Sequence, residues 1–182
     1  MSLTDAILEV HRFLAGSRVS HAFGGALALA QYAEPRATVD IDVNVFIPGS
    51  DGKDLVESLA SLGYRPERDP ADLLPVAGLR LRRPTDPYPL DVFVPLGPAY
   101  DEIATRTRHF PFGPGLVELP FLSAEDLVLF KLSFGRAKDW VDIRQVIASG
   151  TELDDDYIER QLIELRGHTM YPRIARLRSL MG

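Results

Sequence analysis

Two hydrophobic periods share this chain. Up to about residue 121, short runs of period two alternate with runs at helical spacing; beyond it only the helical spacing remains. The first helical run covers 4–15, with Ile7, Leu8, Phe13 and Leu14 as its apolar stripe. Val19 to Phe23 reads as a short strand and Gly24-Gly25 as a tight turn. Ala26 to Tyr32 reads as a short Ala- and Leu-rich helix, broken by Glu34-Pro35-Arg36. Residues 39–47 alternate most clearly. Val39, Ile41, Val43, Val45 and Ile47 point one way; Asp40, Asp42 and Asn44 point the other. Pro48-Gly49 ends that strand.

Asp51 is placed to cap a helix over 52–62 that Gly63 terminates. Residues 64–75, punctuated by proline, read as irregular. Strands follow at 77–83 and 89–94 around the turn Pro84-Thr85-Asp86-Pro87. A helix near 98–106 and a hairpin at 108–121, with Gly113 and Gly115 at its turn, complete the mixed part. Ser123-Ala124-Glu125-Asp126 then resembles a capping box. It opens helices at 124–134, 137–148, 154–166 and 171–180. The pattern predicts an α+β fold, with a mixed core over 1–121 and a helical region over 122–182 packed on it.

Composition narrows the function classes. The chain has 182 residues, 46% of them apolar and 25% charged, enough for one globular domain with a real core. It contains no cysteine, which removes disulfides and thiolate zinc sites and fits a reducing cytoplasm. No apolar run has the length of a membrane span, and the charged N-terminal helix lacks the shape of a signal peptide. A cytoplasmic protein with no membrane partner is therefore expected. The net charge of −6 gives no global attraction to nucleic acid. Basic residues do cluster locally: Arg80 and Arg82 on one strand face, and Arg173, Arg176 and Arg178 near the last helix. These patches either grip an RNA backbone or serve the fold, as helix-end cations and edge-strand charges.

The candidate chemistry lies in the polar half of strand 39–47. Asp40 and Asp42 share a face about 7 Å apart, and like charges that close call for a cation between them. A hard divalent ion carrying a triphosphate suits such oxygen ligands. Asp is disfavoured in strands, so two in one strand need a reason. The plain alternative is the solvated face of an antiparallel sheet. A third carboxylate, Asp91, faces away from Leu90, Val92 and Val94. It joins the pair if strand 89–94 neighbours strand 39–47. Gly24-Gly25, ahead of a helix, leaves backbone N–H groups open to a phosphate, or simply makes a turn.

Phe23-Gly24-Gly25, then Asp40-Ile41-Asp42, then a strand aspartate at Asp91 resembles the nucleotidyltransferase superfamily that includes DNA polymerase beta. Ala26, Tyr32, Pro35-Arg36 and Thr38 resemble the small bacterial branch related to the AbiEii abortive-infection toxins. That branch carries an Arg-x-Thr-x-Asp-x-Asp stretch, here Arg36, Thr38, Asp40 and Asp42. Many superfamily members have Ser where this chain has Gly25, so a hydroxyl for the triphosphate is missing. Lys131 within 123–132, followed by Arg136-Ala137-Lys138-Asp139-Trp140-Val141-Asp142, is similar to the branch's later motif. The matching stretches cover roughly 21–47, 89–95 and 123–143.

The resemblance implies a mixed-sheet nucleotidyltransferase fold with a C-terminal helical bundle. It also implies transfer of an NMP from an NTP with two Mg²⁺ or Mn²⁺ ions. Asp40 and Asp42 would bridge the metals; Asp91 would complete the site and accept the acceptor's proton. Gly24 and Gly25 would cradle the β- and γ-phosphates. Lys131, with Arg36, Arg136 or Lys138, would neutralise the triphosphate, beside Thr38. Asp139 would position Lys131 or the acceptor. The acceptor would be tRNA, a protein hydroxyl or a small molecule, and a toxin with an antitoxin partner is one form of this reading. Two others stand beside it: a non-catalytic nucleotide-binding or interaction module, and an unrelated α+β domain whose acids hold one structural cation.

Overall fold

The computed structural model describes residues 1–48, 51–68, 78–95 and 97–182. Its helices are α1 (Leu3–Gly16), α2 (Gly25–Tyr32), α3 (Gly52–Leu59), α4 (Ala99–Thr105), α5 (Ala124–Phe134), α6 (Ala137–Ala148), α7 (Asp155–Arg166) and α8 (Tyr171–Met181). Its strands are β1 (His21–Phe23), β2 (Ile41–Val45), β3 (Arg65–Pro66), β4 (Leu79–Arg82), β5 (Leu90–Phe93), β6 (Arg108–Phe112) and β7 (Val117–Phe121). They form one mixed sheet in the order β3-β4-β5-β2-β1-β7-β6.

The sheet's centre is the alternating segment. Ile41, Val43 and Val45 are buried on the core face of β2, each contributing about 1.5–3 kcal/mol of burial. Pairing begins only at Ile41, so Val39, expected on that face, is exposed instead. Thr38 Oγ1 accepts the Asp40 N–H at 3.1 Å, turning the chain into the strand. β2 runs antiparallel to β1 and parallel to β5. The parallel pair requires the long excursion through α3, β3 and β4. The two-residue edge strand β3 falls where irregular chain was expected; its strand pairing to β4 is a tertiary contact that a run ending in proline does not announce. Residues 49, 69–75 and 77, which belong to the strand end, the irregular stretch and the start of strand 77–83, lie outside the described residues.

Two caps set helices that matter to the site. Ser123 Oγ accepts the Asp126 N–H at 3.1 Å to start α5. Gly135, at φ +65°, ends it. α5 is buried nearly all round and packs on α2, α6 and α7. One continuous hydrophobic cluster runs from Ala6 on α1 to Leu177 on α8, so the helical region and the sheet share a core.

Candidate active site

Strand register assembles the first half of the site. Asp42 lies opposite Asp91 across β2–β5, and Asp91 lies opposite Arg80 across β5–β4. Arg80, Asp91 and Asp42 therefore form one row of side chains over three adjacent strands. The Arg80 guanidinium donates to both oxygens of Asp91, Nε to Oδ1 at 2.8 Å and Nη2 to Oδ2 at 2.6 Å. Nη2 also reaches Asp40 Oδ1 at 3.1 Å. Two of the three carboxylates thus already share an internal cation. Asp42 does not. Its carboxylate accepts no hydrogen bond and forms no ion pair among the described residues. Burial, then the neighbouring charges of Asp91 and Asp40, push its pKa up to about 6.

The glycine turn closes on that same residue. Gly24 N–H donates to the Asp42 backbone carbonyl at 2.9 Å, and Gly25 has φ +55°. A Cβ on Gly25 would stand 1.9 Å from Asp42 Oδ2. The second glycine is therefore doubly required, by its left-handed backbone and by the carboxylate above it. In this conformation position 25 has no room for the serine common elsewhere in the superfamily.

The helices supply the other half. Lys131 on α5 is buried, and its Nζ donates to Asp142 Oδ2 on α6 at 2.6 Å. Arg36 grips the same carboxylate as a fork, Nε to Oδ1 and Nη2 to Oδ2, both at 3.0 Å. Burial would raise the Asp142 pKa, but hydrogen bonds from Arg36 and Lys131 outweigh it, so the carboxyl stays below its ordinary value. Burial draws the Lys131 pKa down, and Asp142 opposes it.

Of the two partners expected for Asp139, Lys131 or the acceptor, Lys131 is bonded to Asp142. Asp139 accepts from Arg136 instead, from its backbone N at 2.9 Å, Nε at 2.8 Å and Nη2 at 3.1 Å, fixing the start of α6. Asp139 and Asp142 lie three residues apart on one helix face. Only the packing of α6 on α5 decides which of them meets Lys131.

One cavity of about 270 Å³ collects these groups. Gly25, Asp40, Asp42, Asp91, Lys131, Arg136, Lys138 and Asp139 line it, joined by Asn44, Arg80 and an apolar wall of Phe93, Phe130 and Phe134. Gly24, Arg36 and Thr38 lie outside that lining; Arg36 and Thr38 hold the segment that leads to Asp40. Three further residues belong to the site: Asn44, from the polar face of the strand; Arg80, which the charge pattern groups with a basic patch; and Asp142, which the sequence shows only as the last residue of the stretch similar to the branch's later motif, with no role of its own. Asn44 is buried with its Oδ1 unpartnered.

The basic patches resolve into internal pairs. Arg82 meets Glu67, and Arg83 meets Glu9 and Asp86. Arg173 Nη1 donates to the carbonyls of Leu132 and Ser133 at 2.6 and 2.8 Å, capping α5. Arg176 lies over the Trp140 ring at 3.9 Å, and Arg178 binds Asp155, Asp156 and Glu159. These arginines serve the fold, and the patches offered as an RNA grip are largely neutralised.

A mixed sheet presenting an aspartate row beside a glycine turn, faced by a buried lysine, defines a nucleotidyltransferase-type protein. The solved structures agree. The chain is similar to the antibiotic-resistance factor ANT(2'')-Ia (16% identity, 96% of this chain and 97% of that one, TM-score 0.58). An antigenic nucleotidyltransferase-like protein from Paracoccidioides brasiliensis gives 17% identity, 96% and 91% coverage and a TM-score of 0.58. The lincosamide antibiotic adenylyltransferase LnuA, bound to lincomycin, gives 16%, 78% and 94%, and 0.56. At such identities these likenesses establish the fold. No protein of curated function matches the sequence. Residues 10–178 match the model of the nucleotidyl transferase AbiEii toxin family, of type IV toxin–antitoxin systems, and the chain belongs to that family.

Proposed function

We propose that the protein transfers an NMP from an NTP to an acceptor hydroxyl on RNA, protein or a small molecule, with divalent metal held by Asp40, Asp42 and Asp91. The observation that carries this reading is Asp42: a partly buried carboxylate, crowded by two others, with no ion-pair partner among the described residues. An all-carboxylate donor set suits Mg²⁺ or Mn²⁺, and the unpartnered Asn44 Oδ1 adds a further oxygen on the same wall. Among the described residues, no trio of acidic or histidine side chains is already drawn together as a metal cage. Asp40 and Asp91 are joined through Arg80 instead.

When bound, the metal would polarise the α-phosphate and offset charge on the departing pyrophosphate. The chain's own groups do the rest. Asp91 accepts the acceptor's proton. Gly24 and Gly25 form the turn at the start of α2, where helix N–H groups favour phosphate; the Gly24 N–H is held by the Asp42 carbonyl, which leaves the backbone from Gly25 onward to face it. Lys131 and Lys138 supply positive charge to the triphosphate, and Asp142 keeps the Lys131 ammonium oriented. Arg136, steadied by Asp139, borders the same cavity. The apolar wall of Phe93, Phe130 and Phe134 offers rings to a base. A toxic role, opposed by an antitoxin, follows from the family.

The test is to incubate purified protein with each labelled NTP, Mg²⁺ or Mn²⁺, and separately total RNA, cell protein and an aminoglycoside or lincosamide. Label on one acceptor class is expected and identifies it. Tight NTP binding without transfer to any of them would favour a non-catalytic nucleotide-binding module.

A further inference from the structure

The carboxylates proposed to hold metal are not all available to it. Both Asp91 oxygens and Asp40 Oδ1 receive hydrogen bonds from one guanidinium, at 2.8, 2.6 and 3.1 Å. A fork-on-fork Arg–carboxylate pair is among the stronger polar contacts a protein makes. Arg80 and Asp91 are also directly opposite across β4–β5, so the strand pairing itself holds them together. A cation that draws on Asp91 and Asp40 must therefore compete with Arg80.

The competitor is able to leave. The Arg80 side chain lines the cavity and remains 39% exposed. It carries no load for the core, whose β4 contribution is Leu79 and Leu81. A displaced guanidinium in a cavity built for a triphosphate meets the ligand it pairs with best, a phosphate, again as a fork.

We propose that Arg80 is an exchangeable internal cation that couples metal binding to nucleotide binding. Without nucleotide it holds Asp91 and Asp40, and bare metal binds poorly. When the metal arrives with a triphosphate, Arg80 trades the carboxylates for phosphate oxygens. Both ligands then bind better together than either does alone, which is a coupling between sites carried by one side chain. Arg80 acts here as a positioning residue, and the inference rests on the metal reading of Asp40, Asp42 and Asp91.

The test measures Mn²⁺ affinity by calorimetry, with and without a non-hydrolysable NTP analogue, for the wild type, Arg80→Gln, and Arg80→Gln combined with Asp42→Asn. In Arg80→Gln, Mn²⁺ alone should bind at least about ten-fold more tightly, since the charge-assisted hydrogen bonds of the guanidinium to Asp91 and Asp40 no longer oppose it. The enhancement by nucleotide should shrink by a similar factor. Equal Mn²⁺ affinity in wild type and Arg80→Gln, abolished by Asp42→Asn, overturns the Arg80 inference and leaves the metal site standing. No Mn²⁺ binding to any of the proteins, nucleotide present or not, overturns the metal reading and this inference with it. A second measurement needs no variant: the Arg80 Nε–H resonance, held by Asp91, should move when Mg²⁺ and the analogue are added together. An unmoved resonance at saturating ligand counts against the exchange.

Discussion

Asp42→Asn should make the metal-free protein more stable while abolishing nucleotide transfer. The wild-type carboxyl is held at a pKa of about 6 against an ordinary 3.8, by burial and by the charges of Asp91 and Asp40. A shift of about two units, at 1.36 kcal/mol each, sets a ceiling of roughly 3 kcal/mol of penalty for keeping Asp42 ionised in the folded state. Solvent at the cavity mouth screens part of this, so about 1–2 kcal/mol is the expected gain on neutralising the side chain. For a chain of this length that corresponds to a rise in Tm of roughly 3–6 °C. The sign follows from linkage. The folded pKa lies above the unfolded one, so the group's stabilising proton is fully present at low pH and is lost as pH rises through about 6. The wild type should therefore lose stability relative to the variant between roughly pH 4 and 7, mostly below pH 6, and the gap should then stay constant. Asp126, also raised to about 6, titrates in both proteins and cancels in the difference. The assay is chemical denaturation in chelator across that pH range, followed by the label-transfer reaction. Adding Mn²⁺ should stabilise the wild type and not the variant. If the two pH–stability curves coincide, Asp42 is not under the electrostatic load that the site assigns to it.

The glycine turn gives a graded pair. Gly25→Ala forces both a left-handed alanine and a clash with Asp42 Oδ2, and should lower stability by more than about 1–2 kcal/mol along with activity. Gly24→Ala, at ordinary φ and no closer than 3.0 Å to Asn44 Nδ2, should cost less by the same denaturation assay. Asp142→Ala leaves Lys131 buried without its partner and should destabilise by about 3–5 kcal/mol. Adding Lys131→Met should recover much of that stability but no transfer activity. Arg173→Ala removes donors to two carbonyls at the end of α5 and should lower stability by about 1–2 kcal/mol. The salt dependence of any RNA binding should not change, whereas a grip on RNA would reduce its slope.

The alternation over 39–47 was enough to say that Asp40 and Asp42 leave the core face, because side-chain period in a strand is a local property. The same reasoning put Asp91 on a polar face, Gly24-Gly25 between strand and helix, and Ser123 at the head of α5. It stopped at neighbours. A period-two pattern names the face of a strand but not the strand beside it, and β2 meets β5 in parallel only after the chain has passed through α3, β3 and β4. That register turns a lone aspartate into a partner of Asp42, and the next one takes Arg80 out of a surface patch and sets it on Asp91. Helical period has the same limit. The three-residue spacing of Asp139 and Asp142 puts both on one face of α6, and the packing of α6 on α5 chose Asp142 for Lys131. The chain alone carried the chemistry of the groups and the faces they occupy. Long-range pairing, set by how one core closes over the whole sheet, decided which charges meet.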